Sequence, residues 1–411
     1  MKFSKLFTKT IKEVPADESS VNAQLLIKGG FISKVMAGVY NYLPLGLRVL
    51  NKINNIIRDE MNATGAEELF MSVLQSKETW TTSGRWDTAK EVMYQFKDGS
   101  GKEIGLGWTH EEPLTEVAKH FISSYKDLPK AVYQIQTKFR NEPRARSGLL
   151  RGREFYMKDL YSFHADDNDL NRYYETVAGA YAKAFSRIGL DAKRTVASGG
   201  LFSKYSDEFQ VLCDAGEDTI YYCSECGYAA NKEVAAELEI KDKCPKCGKG
   251  IGEKKGIEVG NIFKLGTRYS EPFGLYYTDK DGAKKPVIMA SYGIGPGRVM
   301  ATVVEVSHDG KGIIWPETIA PFKVHLIAFD GKTEEAREIY AELGERGIET
   351  LYDDREDKTA GEKFADADLI GCPIRLVVST RTLQNGSVEI KRRASDKAEL
   401  VKIEEIGSLV R

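Results

Sequence analysis

The sequence has no surplus of charge of either sign: 59 lysines and arginines stand against 61 aspartates and glutamates in 411 residues. Total charge therefore names no polyanionic partner, and any nucleic-acid surface has to be local. No apolar run approaches the ~20 residues that a membrane span needs. The first twenty residues are mixed and charged and lack the apolar core of a secretory leader. A cytoplasmic protein without a membrane partner is expected. Repeats and low-complexity tracts are absent. Cysteine is scarce, six residues in all, and four of them fall in two tight pairs, unlike a secreted disulfide framework. What is present is length and a 42% hydrophobic content, enough for two or three domains that each bury a core.

Leu47, Leu50, Ile53, Ile57 and Met61 recur every three or four positions, which predicts an amphipathic helix over residues 42–61 that stops near Gly65. The apolar run 69–74 predicts a short strand, with others at 132–135, 154–157, 209–212 and 287–290 and a helix over 170–188. Strands at irregular spacing favour an antiparallel sheet flanked by helices over strict strand–helix alternation. After Pro316 and Pro321 the pattern changes to strand 324–329, helix 333–344, strand 348–352, helix 360–370 and strands 374–379 and 388–391. That alternation predicts a compact α/β unit of its own, with the prolines at its boundary.

Two stretches carry chemistry. Residues 136–159 contain Arg140 and Glu142, a basic loop with Arg144, Arg146, Arg151 and Arg153, then Phe155 and Asp159. Two strands joined by such a loop would set Arg140, Glu142 and Arg151 around one anion, with Phe155 offering a flat face to a base, an arrangement suited to a nucleotide. A solvated basic hairpin is the competing reading. The four paired cysteines read Cys223-Ser-Glu-Cys226-Gly227 and Cys244-Pro-Lys-Cys247-Gly248, two C-x2-C pairs seventeen residues apart. This is close to the structural zinc pattern, with four thiolates and no position open for water; free thiols or disulfides are the alternative. Cys213 and Cys372 sit in apolar, strand-like surroundings and are expected to be small core residues.

Phe139-Arg140-Asn-Glu142 followed by Arg151-x-x-x-Phe155-x-x-x-Asp159 resembles motif 2 of class II aminoacyl-tRNA synthetases, and Gly293-Ile-Gly295-Pro-Gly297-Arg298 resembles motif 3. The local words Trp108-Thr109-His110-Glu111-Glu112, the run 133–140, the run 157–164 and the run 260–270 are similar to the prolyl-tRNA synthetase family of the bacterial type. The resemblance covers nearly the whole chain.

It implies an α+β class II catalytic domain with an antiparallel sheet, a small zinc-knuckle module and a C-terminal α/β anticodon-binding domain. The expected boundaries are 1–220 for the first catalytic part, 221–256 for the zinc knuckles, 257–320 for the second catalytic part and 321–411 for the anticodon domain. The implied activity is a proline–tRNA ligase, an aminoacyl-tRNA ligase that makes prolyl-adenylate from proline and ATP and passes it to the 3′ end of tRNA(Pro), working as a homodimer. Thr109, Glu111 and Arg140 would bind proline; Arg140, Glu142, Arg151, Phe155 and Arg298 would bind ATP; Arg140 and Arg298 would act in catalysis. Magnesium would bridge phosphate oxygens, and zinc would be structural on Cys223, Cys226, Cys244 and Cys247. Lys391, Arg392 and Arg393 would meet tRNA, a solvated strand end being the alternative. For Thr109 to Glu112 an ordinary helix cap competes with substrate binding.

Three departures stand out. The short segment 237–258 replaces the large editing insertion of many bacterial relatives, so hydrolysis of misattached alanine within the chain is expected to be absent. Ser72 stands where motif 1 usually has proline, and Asp207 and Asn261 stand where many relatives have histidine. Two rivals remain: threonine or serine activation by the same class, and a catalytically silent tRNA-binding regulatory paralogue. The second would be expected to have lost motif arginines, yet Arg140, Arg151 and Arg298 are all present.

Overall fold

The computed structural model describes residues 1–200, 202–240, 242–329 and 331–410. Its chain divides into two compact units: Met36–Val39 with Ile53–Thr302, and Met1–Val35 with Tyr40–Lys52 and Val303–Arg411. The first fifty residues, expected beside the motif 2 segment, thus fall for the most part in the unit that holds the C-terminal region.

The larger unit is built on one nine-stranded sheet. Its strands are β1 (Glu67–Glu68), β2 (Lys130–Phe139), β3 (Glu154–His164), β4 (Ala192–Ser198), β5 (Tyr205–Leu212), β6 (Asp218–Tyr222), β7 (Ala229–Asn231), β8 (Gly252–Gly266) and β9 (Ile288–Ile294), in the order β5-β4-β7-β6-β8-β9-β3-β2-β1. Pairing is antiparallel except at β1 with β2 and β7 with β4. Helix α1 (Asp167–Ile188) covers one face. Asp166 caps it by accepting from the Asp169 N–H, Gly189 ends it at φ 93°, and Leu170, Tyr174, Val177, Tyr181, Ala184, Phe185 and Ile188 form its buried stripe.

Helix α2 (Glu111–Ala118) lies with a second cluster that includes Leu114, Tyr161, Phe163, Leu265, Tyr269 and Met289. The expected strand 69–74 is corrected: only Leu74 enters a strand, Leu74–Ser76. Beyond β1 the ladder is replaced by side-chain amides, because Gln134 Oε1 accepts from the Met71 N–H at 3.2 Å and Gln136 Nε2 donates to the Met71 carbonyl at 2.9 Å. Helix α3 (Pro296–Val306) follows β9 directly.

The C-terminal region of the other unit is a five-stranded sheet of β10 (Val324–Ala328), β11 (Thr350–Asp353), β12 (Ile374–Val378), β13 (Ser387–Arg392) and β14 (Ala398–Lys402), in the order β11-β10-β12-β13-β14. The first three are parallel and the last two antiparallel. Helices α4 (Thr333–Glu345) and α5 (Ala360–Ile370) are the crossovers. Ala336, Ile339 and Leu343 of α4 pack into the core, as their spacing predicts.

Candidate active site and metal centre

Four consecutive residues, Thr109 to Glu112, enter α2 and are all buried. The Thr109 hydroxyl donates to Glu111 Oε2, a short contact that pairs the two expected substrate residues. His110, not Thr109, is the cap position, and its side chain makes no capping bond. It donates from Nε2 to the Ser72 carbonyl at 3.0 Å, and its N–H donates to the Tyr161 hydroxyl at 3.1 Å. Burial pulls the imidazole down to about 4, so it is neutral at pH 7.

Arg85, which the sequence did not single out, completes this corner. It donates to Glu112 Oε1 at 2.9 Å, stands 3.8 Å from Glu111 Oε2 and contacts the Tyr269 hydroxyl at 2.7 Å. Its guanidinium carbon lies 5.3, 4.5 and 5.7 Å from the ring centres of Trp80, Trp108 and Tyr269. Aromatic faces and carboxylates together hold a cation out of water. Burial pushes Glu112 up to about 7 against the pull of Arg85.

Below the turn, the Asp159 carboxylate accepts from Lys138 at 2.8 Å and from Gln134 and Tyr161 at 2.9 Å each. Lys138 is fully buried, and desolvation lowers its pKa against the pull of Asp159. Tyr161 thus connects Asp159 to the His110 backbone, fixing the turn from beneath.

Arg140 follows the end of β2. Its Nε donates to the Trp108 carbonyl at 3.4 Å, and its guanidinium lies 5.3 Å from the centre of the Phe155 ring. Burial, and then the charge of Arg298, depress its pKa. Glu142 and Arg151 form an ion pair at 3.0 Å, and Arg151 also pairs with Glu217. Arg298, near the start of α3, is held by Glu258 Oε2 at 3.1 Å and by the Leu150 carbonyl at 2.9 Å. The larger unit therefore gathers Arg140, Arg298 and Phe155 with Glu142 and Arg151 at the joined ends of β2 and β3.

Neither conformation nor packing requires the glycine at position 293. Its φ is not positive, and a Cβ there would meet nothing nearer than 3.9 Å. Three carboxylates, missed by the sequence reading, border the same region. Gln210 Nε2 donates to Glu208 and Asp218 at 2.8 Å each, and burial followed by the Glu258 charge pushes Glu208 up to about 8.

The four cysteines converge. Sγ of Cys223 lies 3.6 Å from Sγ of Cys247, Sγ of Cys226 lies 3.6 Å from Sγ of Cys244, and all four sulfurs lie within 4.8 Å of one another. A disulfide needs about 2.05 Å. Four thiolates ~2.3 Å from a tetrahedral zinc would be about 3.8 Å apart, close to the spacing seen. Each knuckle turns through a glycine in the left-handed region, Gly227 at φ 71° and Gly248 at φ 73°. The flanking strands β6, β7 and β8 belong to the central sheet, so the knuckles grow out of the sheet. Cys372 is buried as expected, whereas Cys213 is only half-buried.

In the C-terminal sheet, Lys391 and Arg392 lie at the end of β13, with Arg392 3.5 Å from Glu317. Arg393 corrects the expectation of a tRNA contact. It is buried, donates to both oxygens of Asp309 at 2.7 Å and to the Asp368 carbonyl at 3.0 Å, so its guanidinium is committed inside its own unit.

Comparison with known proteins agrees with this geometry. The family model for the class II tRNA synthetase core domain (G, H, P, S and T) matches residues 94–307, and the anticodon binding domain matches residues 319–411. A "Proline--tRNA ligase" of Dehalococcoides mccartyi is 35% identical across 99% of this chain and 98% of its own length. One from Persephonella marina is 36% identical across 100% of each. The Giardia lamblia prolyl-tRNA synthetase solved with prolyl-adenylate shares the fold at a TM-score of 0.78 and 19% identity, over 94% of this chain and 75% of that one. The chain belongs to the prolyl-tRNA synthetase family of class II aminoacyl-tRNA synthetases.

Proposed function

We propose that this chain condenses proline with ATP and transfers the prolyl group to tRNA(Pro). The observation that carries the reading is the convergence, in one unit, of the Thr109–Glu111 pair with Arg140 and Arg298. Glu111 receives the secondary ammonium of proline, and the Thr109 hydroxyl gives the contact direction. Arg140, poor in partners and depressed by burial, receives the proline carboxylate and the α-phosphate. A carboxylate oxygen attacks phosphorus, the bond to the β-phosphate breaks, and pyrophosphate leaves with that electron pair. Arg151 and Arg298 hold the departing phosphates once their carboxylate partners give way, while Phe155 and Glu142 place adenine. Fixed cations of this kind lower the barrier by positioning and by balancing charge in the transition state. A ribose hydroxyl of the tRNA then attacks the activated carbonyl and AMP leaves.

Glu258 and Glu208 are oxygen donors suited to magnesium, which takes one or two carboxylates and fills its remaining positions with phosphate and water. When bound, that ion supplies neutralisation of phosphate charge. Zinc fits the four thiols at their observed spacing and serves structure. The first catalytic part is read as residues 1–220, the knuckles as 221–256, the second catalytic part as 257–320 and the anticodon part as 321–411, where Lys391 and Arg392 face tRNA. The enzyme is read as a cytoplasmic homodimer; no helix among the described residues is long and apolar enough to cross a membrane.

Editing is read as absent. The Dehalococcoides alignment spans 556 positions against 411 residues here, so that relative carries well over a hundred residues without a counterpart in this chain. A silent paralogue is disfavoured because all three motif arginines are retained in a common region. The test is pyrophosphate exchange with each of the twenty amino acids. Proline alone should stimulate strongly; stimulation by threonine or serine and not by proline would overturn the assignment.

A further inference from the structure

The second cysteine knuckle carries a feature that adenylate chemistry does not use. Between Lys243 and Gly252 the chain has Lys243, Lys246 and Lys249 and no acidic residue. All three lysines are exposed, and among the described residues none of their ammonium groups has an ion pair. The run is bounded by Asp242 on one side and by Glu253 on the other, and Glu253 is already paired with Lys232 at 3.2 Å, so the three lysines outnumber the acid left beside them. In a chain of net charge −2, three unneutralised cations within seven residues form a local positive surface.

The surface is also held in shape. The Cys244 N–H donates to the Lys249 carbonyl at 2.7 Å, and the Gly248 N–H donates to the Cys244 carbonyl at 2.8 Å. Lys246 sits inside the turn between two thiols of the metal centre, and Lys243 and Lys249 flank it. A loop fixed in this way loses little further backbone entropy when a ligand binds. Its position relative to the chemistry is set by β8. The strand starts at Gly252, beside the knuckle, and six residues later reaches Glu258, the partner of Arg298. At ~3.3 Å per residue that is about 20 Å along one rigid strand. A tRNA whose unpaired 3′ end reaches the adenylate carries phosphodiesters at that range, where exposed lysines bind without regard to sequence.

We propose that Lys243, Lys246 and Lys249 form a phosphate-binding surface for the acceptor arm of the tRNA substrate, held in place by the four-cysteine centre. This rests on the reading of the chain as a prolyl-tRNA synthetase. The experiment uses the full-length, metal-containing protein and its Lys243→Gln, Lys246→Gln, Lys249→Gln triple variant. Proline-dependent pyrophosphate exchange, zinc content and tRNA(Pro) aminoacylation between ~50 and ~200 mM salt are measured on the same preparations. The variant should keep exchange and zinc, lose about tenfold or more in kcat/KM for tRNA, and show a salt slope shallower by about 2 to 3. A triple Lys→Arg variant, which keeps the charges, should retain both tRNA kcat/KM and slope. Unchanged tRNA kcat/KM and slope in the glutamine variant would overturn the proposal, as would an equal loss in the arginine variant. Failure of the parent protein to exchange pyrophosphate with proline would instead overturn the underlying functional reading.

Discussion

Arg85 binds the Glu112 carboxylate at 2.9 Å, with the carboxylate wholly buried and the guanidinium nearly so. With Glu112 already raised to about 7, removing Arg85 drives the buried carboxyl to take up a proton, and the loss is that of a charge-assisted bond, at a cost of about 1.5 to 3 kcal/mol. Arg85→Met should therefore lower stability by roughly that amount in urea unfolding. Loss of the cation beside Glu111 should also raise the KM for proline about tenfold or more in pyrophosphate exchange, with the KM for ATP nearly unchanged. Arg85→Lys should recover only part, because an ammonium cannot reach Glu112 and Tyr269 while stacking on three rings. An unaltered proline KM in the methionine variant would separate Arg85 from the substrate pocket.

Arg140 stands over Phe155 and, among the described residues, has no carboxylate partner, unlike Arg151 and Arg298. Arg140→Ala should reduce proline-dependent exchange by at least ~100-fold, the scale for loss of one preorganised transition-state donor. The same variant should unfold close to the parent, since no buried ion pair is broken. Exchange within a few-fold of the parent would remove Arg140 from the reaction.

The sulfur spacing near 3.6 Å suits one tetrahedral zinc, and one zinc per chain is the expected outcome. Metal analysis of protein purified without chelator should return that stoichiometry. Cys244→Ser should lower it and reduce the thermal midpoint, because the ligand set fastens the β6–β8 hairpin. A metal-free protein with the parent's thermal midpoint would contradict a structural centre.

Glu208 has its folded pKa raised from 4.5 to about 8, chiefly by burial and next by Glu258. Its protonated form is favoured in the folded chain, so its contribution to stability is complete below about pH 4.5 and is lost as pH rises through about 8. Glu208→Gln removes that equilibrium. The variant should lose less stability than the parent across this window, by about 1 kcal/mol or more, measured as unfolding midpoints without ATP or magnesium. Parallel pH curves for the two proteins would show that Glu208 ionises normally.

Alanine is smaller than proline by little more than two methylenes, and a pocket gains only ~1 to 3 kcal/mol per methylene. Some alanyl-tRNA(Pro) should form. The segment between β7 and β8 is too short for another domain, since domains usually need about 50 residues. Preformed alanyl-tRNA(Pro) should therefore decay no faster with the enzyme than in buffer; clear enzyme-dependent hydrolysis would reveal an editing site.

Local patterns were the most legible part of the sequence. The stripe from Leu170 to Ile188 marks α1 because a helix face is set by neighbours three and four residues apart, and the cysteine spacing marks the metal centre because a C-x2-C turn is itself local. The motif arginines were legible through the family resemblance. Arg85 was not, since its partners Glu112 and Tyr269 lie 27 and 184 residues away. Arg393 looked like its exposed neighbours until Asp309, 84 residues distant, was placed against it. Residues 69–73 mimic a strand in composition, yet Gln134 and Gln136 satisfy Met71 with side chains, which no periodicity reports.

The cysteine knuckles lie between β6 and β8, which are direct antiparallel neighbours in the sheet. Everything from Cys223 to Ile251 therefore leaves and re-enters the sheet at nearly the same place, with only short β7 paired back onto it. Length can change there without shifting the register of Glu258 or Gly260, because the ends of the excursion stay fixed while its contents vary. An excursion of any size can therefore hang from this hairpin while the strands that carry Glu258 and Gly260 keep their register, so the sheet tolerates variation in what it carries without variation in what it positions.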